Sequence, residues 1–101
     1  MELHFSGQNI DVTNALKDHI TEKLKPLEKR FHRITQIRVS LHVDKVDQIA
    51  EATVHIDGTE IHATASSNDM YRSIDAMAEK LLGQMTKHKE KLIDSHHRQD
   101  L

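Results

Sequence analysis

The chain has 101 residues, enough for one domain with one modest core. It holds no cysteine and no tryptophan, and its only aromatic side chains are Tyr71, Phe5 and Phe31. That excludes disulfides, thiolate chemistry, cysteine-bound zinc and a base-stacking sheet platform. Its 14 basic and 16 acidic groups leave a net charge of −2, and no run of about 20 apolar residues is there to span a bilayer.

Residues 2–8, ELHFSGQ, alternate, with Leu3 and Phe5 on one face and Glu2, His4 and Ser6 on the other. This is the pattern of a half-buried strand. Thr13 offers its hydroxyl as an N-cap. Leu16, Ile20, Leu24, Leu27 and Phe31 then follow at steps of four, four, three and four, one face of a helix. Pro26 falls inside that stripe. It lacks the N–H that would bond the Glu22 carbonyl, at a cost of about 3 kcal/mol in a helix interior. The stripe stays in phase across it, which predicts one kinked helix, not two.

QIRVSLHVDKV alternates over its length, with Ile37, Val39, Leu41 and Val43 facing in. EATVHID repeats the pattern with Ala52, Val54 and Ile56. Asp57-Gly58 marks a hairpin turn, and EIHATAS supplies its partner strand, with Ile61, Ala63 and Ala65 in. Ser67 or Asn68 is the expected cap of a second helix, with Asp69 in its first turn. Met70, Ile74, Met77, Leu81, Met85 and Leu92 form that helix's buried stripe. Residues 94–101 have no period and are expected to fray, leaving residues 1–93 as the single domain. The order predicts a two-layer α+β sandwich, β-α-β-β-β-α, with a four-stranded sheet and both helices on one face. If the first two strands are neighbours, the first helix crosses over and they run parallel. Residues 1–13 lack the basic start and apolar run of a signal peptide, so a cytoplasmic protein is expected.

Charge is unevenly spread. Residues 14–33 carry six basic and three acidic groups, and residues 80–93 carry four basic and one acidic. Residues 34–79 carry three basic and eight acidic. At 100° per residue, Lys80, Gln84, Lys87 and Lys91 fall within about 60° of one another, beside the apolar stripe. Asp75, Glu79 and Glu90 fall on another sector. On the first helix His19, Lys23 and Arg30 flank their stripe, with Lys25, Lys29 and Arg33 further round. Lysines on solvated helix faces are ordinary. Two matched rows in an acidic chain suggest more: helices packed side by side, their rows meeting across a groove that takes a phosphate backbone. Neutralising about five phosphates predicts a log K against log salt slope of roughly −3.5 to −4.5.

Other chemistry has little material. His4, His42, His55 and His62 share the outward parity of their strands. They raise a metal site as a lesser alternative, but no HExxH or similar ligand motif occurs. Most are expected to be solvated surface residues. No GxSxG and no phosphate-cradling glycine loop are present, so no catalytic residue, cofactor or small-molecule substrate is expected. Tyr71 is read as a partly buried contact.

GQNIDVTNALKDHITEKLKPLEKRF, EATVHIDGTEIHATASSNDMYRSID and LLGQMTKHKEKL resemble the ribosome hibernation promoting factors, in collinear order over about residues 1–93. The most specific stretch is EIHATASSNDMYRSID, with Asp-Met-Tyr at 69–71 and Ile-Asp at 74–75. The likeness is to the short form, and the last eight residues do not resemble the acidic tail of the related ribosome-associated inhibitor. The resemblance implies a fold similar to double-stranded RNA-binding domains. It implies binding to ribosomal RNA of the small subunit, between head and body, where the mRNA and the A- and P-site tRNAs would lie. It also implies translation inhibition in stationary phase or stress, and inactive paired ribosomes formed with a separate modulation factor. Carried over by position, it assigns RNA contacts to Lys23, Lys29, Lys80, Lys87, Lys89 and Lys91. The family usually has a basic residue where this chain has Pro26 and an arginine where it has Gly83, both expected on the same groove. Arg30 is expected to compensate. A general duplex-RNA module is the alternative, and it predicts equal affinity for any long duplex at matched salt.

Overall fold

The computed structural model describes residues 2–99, with side chains through residue 89. The elements run β1 (Glu2–Gln8), α1 (Asn14–Arg30), β2 (Ile34–Asp44), β3 (Asp47–Ile56), β4 (Thr59–Ser67) and α2 (Met70–Gln99). The sheet order is β1-β2-β3-β4, with β1 parallel to β2 and the other pairs antiparallel. The expected β-α-β-β-β-α sandwich is therefore the fold. α1 is the crossover that a parallel first pair requires.

Registers align the alternating residues into rows across the sheet. On the inner face Leu3, Ile37, Val54 and Ile61 form one row, and Phe5, Val39, Ala52 and Ala63 the next. Gly7, Leu41, Ala50 and Ala65 form the third. In the second and third rows β3 and β4 contribute only alanine. α2 lies over β3 and β4, and its Met70, Ile74, Met77, Leu81 and Met85 are buried there. Small residues beneath a helix let its own large side chains fill the gap between layers. α1 contributes Leu16, Ile20, Leu24 and Leu27 to the same core.

Local chemistry sets the boundaries. Thr13 Oγ1 accepts the Leu16 N–H at 3.2 Å, the expected N-cap of α1. Pro26 sits inside one continuous helix, with Leu24 and Leu27 buried on either side of it. Asp57 and Gly58 both have positive φ, 52° and 73°, as the two-residue turn between β3 and β4 demands. Two expectations are corrected. The alternation read through Val46 as one strand breaks at a two-residue turn, Lys45-Val46, where Lys45 has φ 57° and Asp44 pairs with Asp47. The N-cap of α2 is Asp69 itself, not Ser67 or Asn68 ahead of it: its Oδ1 accepts the Tyr71 N–H at 2.9 Å, and its carbonyl accepts the Ser73 N–H at 3.0 Å. Ser73 is wholly buried, and its hydroxyl donates to the Gln48 carbonyl, tying α2 to β3.

α2 continues as helical backbone to Gln99, through most of the 94–101 stretch expected to fray. The expectations for the Lys91 and Leu92 side chains lie outside the described residues.

Two glycines answer to opposite constraints. A Cβ on Gly7 would collide with the Ile10 carbonyl oxygen, whereas one on Gly83 meets nothing within 4 Å. Gly83→Ala should therefore stabilise the fold by roughly 0.5–1 kcal/mol through helix propensity. Gly7→Ala should destabilise it. Urea denaturation of the two variants beside the parent checks both signs.

Candidate nucleic-acid interface

α1 and α2 pack side by side, and the seam between them is built around one carboxylate. The His19 imidazole donates from Nε2 to Asp75 Oδ1 at 2.6 Å, and Lys23 Nζ lies 3.7 Å from the same oxygen. The Tyr71 ring meets the His19 ring edge-on, centroids 4.9 Å apart. Tyr71 is 42% exposed, so the contact expected of it is made at the surface and not in a partly buried site.

This arrangement corrects the expected groove. Asp75 and Tyr71 face α1 from α2, and Lys80 is about 140° round the helix from Asp75. Lys80 Nζ instead donates to the Thr64 carbonyl of β4 at 3.0 Å. Lys80 and Gln84 line a hollow with Glu51, Thr53, His62 and Thr64, at the β4 margin of the sheet. Lys80 and Gln84 thus lie on the flank of α2 away from α1, and among the described residues this row does not meet the row of α1. The wheel placed both rows correctly beside their stripes. It did not tell which flank would face the other helix, because that depends on α2 lying over β3 and β4. Gly83 likewise opens to empty space, not to the seam.

The cations that the structure does bring together lie at the C-terminal end of α1. Arg30 and Lys89, one from each helix, line a shared hollow there with Phe31. Lys89 Nζ stands 5.8 Å from the centre of the Phe31 ring, within cation–π range. Lys23 lies seven residues before Arg30, about 20° away on the α1 surface. Lys29 and Lys87 are exposed. Among the described residues, ion pairs claim Lys23, Lys25 and Arg33 but not Lys29, Arg30, Lys80, Lys87 or Lys89. Lys25 lies 2.8 Å from Glu22. Its hydrogen bond and charge hold the Glu22 carboxyl below the usual range, and Glu22 in turn raises the Lys25 ammonium. Both groups are fully exposed, so the pair matters for the local field and not for stability.

Sequence reasoning missed Asp57 as a hub. Beyond its turn, its carboxylate takes Arg33 Nε at 2.7 Å and His88 Nε2 at 3.4 Å. A turn signal at Asp-Gly gives no hint of such partners.

The outer face of the sheet is a separate surface. His4 pairs with Glu2 at 3.2 Å, and Glu60 lies 3.6 Å from His55 and 3.5 Å from His62. The register sets His4 opposite Arg38, His55 between Gln36 and Glu60, and His62 opposite Thr53. No histidine lies directly opposite another, and no group of three ligand-type side chains suited to a metal occurs among the described residues.

A four-stranded sheet with two helices on one face places the chain in a known class of fold. It superposes on a ribosomal subunit interface protein from Coxiella burnetii with a TM-score of 0.80 and 32% identity, over 89% of this chain and 99% of that one. It also matches the N-terminal domain of Thermus thermophilus Protein Y in fold, with a TM-score of 0.79 at 24% identity, over 87% and 99% of the two chains. The chain belongs to the Sigma 54 modulation protein / S30EA ribosomal protein family, whose model matches residues 3–93. Curated relatives named ribosome hibernation promoting factor include those of Klebsiella oxytoca and Escherichia coli K12. The two are 48% and 47% identical over 92 residues, 91% of this chain and 97% of each relative.

The seam predicts its own energetics. In a double-mutant cycle, His19→Ala and Asp75→Asn should couple by about 0.5–1 kcal/mol in urea denaturation, a modest value because both groups are partly exposed. Tyr71→Ala combined with Lys80→Ala, which share no contact, should add without coupling.

Proposed function

We propose that this protein is a non-enzymatic ribosome hibernation factor that binds the small subunit through the helical layer. The observation that carries the reading is the near full-length likeness to hibernation promoting factors, joined to a helical face whose Lys29, Arg30, Lys87 and Lys89 are not claimed by described acids. Those ammonium and guanidinium groups serve ribosomal RNA phosphates. Lys23, Lys80 and Lys91 belong to the same proposed contact set, Lys23 at the seam and Lys80 on the β4 flank. Bound there, the folded body obstructs the path of mRNA and tRNA, so the mechanism is occupancy and needs no chemical step. Action in stationary phase or stress, in the cytoplasm, and formation of inactive ribosome pairs with a modulation factor complete the proposal. No helix is long and apolar enough to cross a membrane.

Because Arg30 and Lys89 line a hollow at the end of the seam while Lys80 lies at the β4 margin, substitutions should act by location. Replacing Lys29, Arg30 and Lys89 together with Gln should weaken co-sedimentation with small subunits and flatten the salt slope by roughly 2–3, and reversing all three to Glu should abolish it. Lys80→Glu alone should weaken binding less. Co-sedimentation undiminished by the triple reversal would remove this face from the contact. Sucrose gradients of stationary-phase extracts, with and without the protein, test the function directly through the paired-ribosome peak. Equal affinity for ribosomes and for any long duplex RNA at matched salt would favour a general duplex-binding module instead.

A further inference from the structure

At the C-terminal end of α1, the two helices and the β3–β4 turn enclose a hollow of about 240 Å³. Its floor is apolar, made by Phe31 and Ile56, both members of the core. Its rim is charged, with Arg30 and Arg33 on one side, Asp57 at the turn, and His88 and Lys89 on α2. Asp57, the one carboxylate among the lining residues, is already engaged by Arg33 and His88. Arg30 and Lys89 have no ion-pair partner among the described residues. Lys89 reaches over the Phe31 ring at 5.8 Å on a flexible stem, so it is the wall that can swing aside.

An apolar floor inside a net positive rim selects a ligand of two parts. A bare phosphate gains nothing from the floor, and a hydrocarbon gains nothing from the rim. A nucleotide supplies both: a flat base with a π-face and an anionic linkage beside it. We propose that this hollow is a subsite for one unstacked RNA nucleotide, its base against Phe31 and Ile56 and its flanking phosphates on Arg30 and Lys89. The inference rests on the RNA-binding reading above and deepens it. The lysines and arginines of the rest of the helical face suit backbone phosphates, which carry no sequence information directly. This subsite accepts a base only where it is out of its stack, in a loop, bulge or single strand. It gives the protein a means of preferring folded ribosomal RNA over plain duplex.

The test varies the ligand, since truncating Phe31 would damage the core. The full chain, isotope-labelled at backbone amides and isoleucine methyls, is titrated with three probes at fixed salt: a single-stranded pentaribonucleotide, the same pentamer with an abasic centre, and adenosine monophosphate. With the intact pentamer, the Ile56 methyl and Lys89 amide resonances should move, and base protons should show Overhauser contacts to the Phe31 ring. The abasic pentamer should bind about tenfold more weakly, the scale of one base–aromatic contact. Arg30→Gln with Lys89→Gln should weaken both pentamers. Equal affinity for the two pentamers, absence of binding, or shifts confined to other residues would overturn the subsite. Adenosine monophosphate binding as tightly as the intact pentamer would make this a free-nucleotide site and overturn the RNA assignment. Co-sedimentation with ribosomes, measured on the same preparation, reports the broader reading separately: if it persists while the pentamers bind alike, only the subsite falls.

Discussion

The seating of α2 on the alanines of β3 and β4 decides the rest of the molecule's surface. Ala50, Ala52, Ala63 and Ala65 are all nearly or fully buried, and no side chain beyond Cβ rises from those positions. The helix stripe from Met70 to Met85 fills the space instead. Once that stripe is pinned, each remaining position on α2 has a fixed outlook. One flank meets α1, the opposite flank meets the β4 margin, and the crest meets solvent. Apolar packing, which is blind to charge, thereby determines which flank carries Asp75 and which carries Lys80.

The distribution of charge follows from that constraint. On the α1 side the fold places Asp75, which draws in His19 and Lys23. The carboxylate fastens the helices together and spends part of the local positive field. Further along the seam Arg30 and Lys89 have no ion-pair partner among the described residues, and the one carboxylate lining their hollow, Asp57, is held by Arg33 and His88. The acids concentrated in residues 34–79 go largely to the strands and turns, where Glu51 and Glu60 share the outer sheet face with Glu2 of β1 and with histidines. A chain of net charge −2 can therefore present one cationic layer and one acidic layer, and its interaction with polyanions is decided by the layer and not by the sum.

Much of this was legible in the residues. Period-two alternation placed the strands and their inward residues, and the Leu16-to-Leu27 stripe held across Pro26. Asp57-Gly58 announced a turn needing two positive φ values. Other features carried no signal. Lys45-Val46 turns without glycine, asparagine or proline, held by the pairing of β2 with β3. Ser67, Asn68 and Asp69 are three good caps in a row, and only the packing of Met70 selects the last. Above all, a helical wheel gives angles relative to a stripe but not which neighbour lies to either side. That is tertiary information, and it separated the lysine row of α2 from the row of α1.

The bond from Lys80 to the Thr64 carbonyl has a bearing on how the protein keeps to itself. β4 closes the sheet on one side, and a terminal strand offers its unused amides and carbonyls to any other strand that drifts near. A lysine lying across that rim would have to surrender its water and its carbonyl before a second copy could dock there. This edge of the protein is thus shielded against ribbon-like self-stacking by a side chain of its own helix.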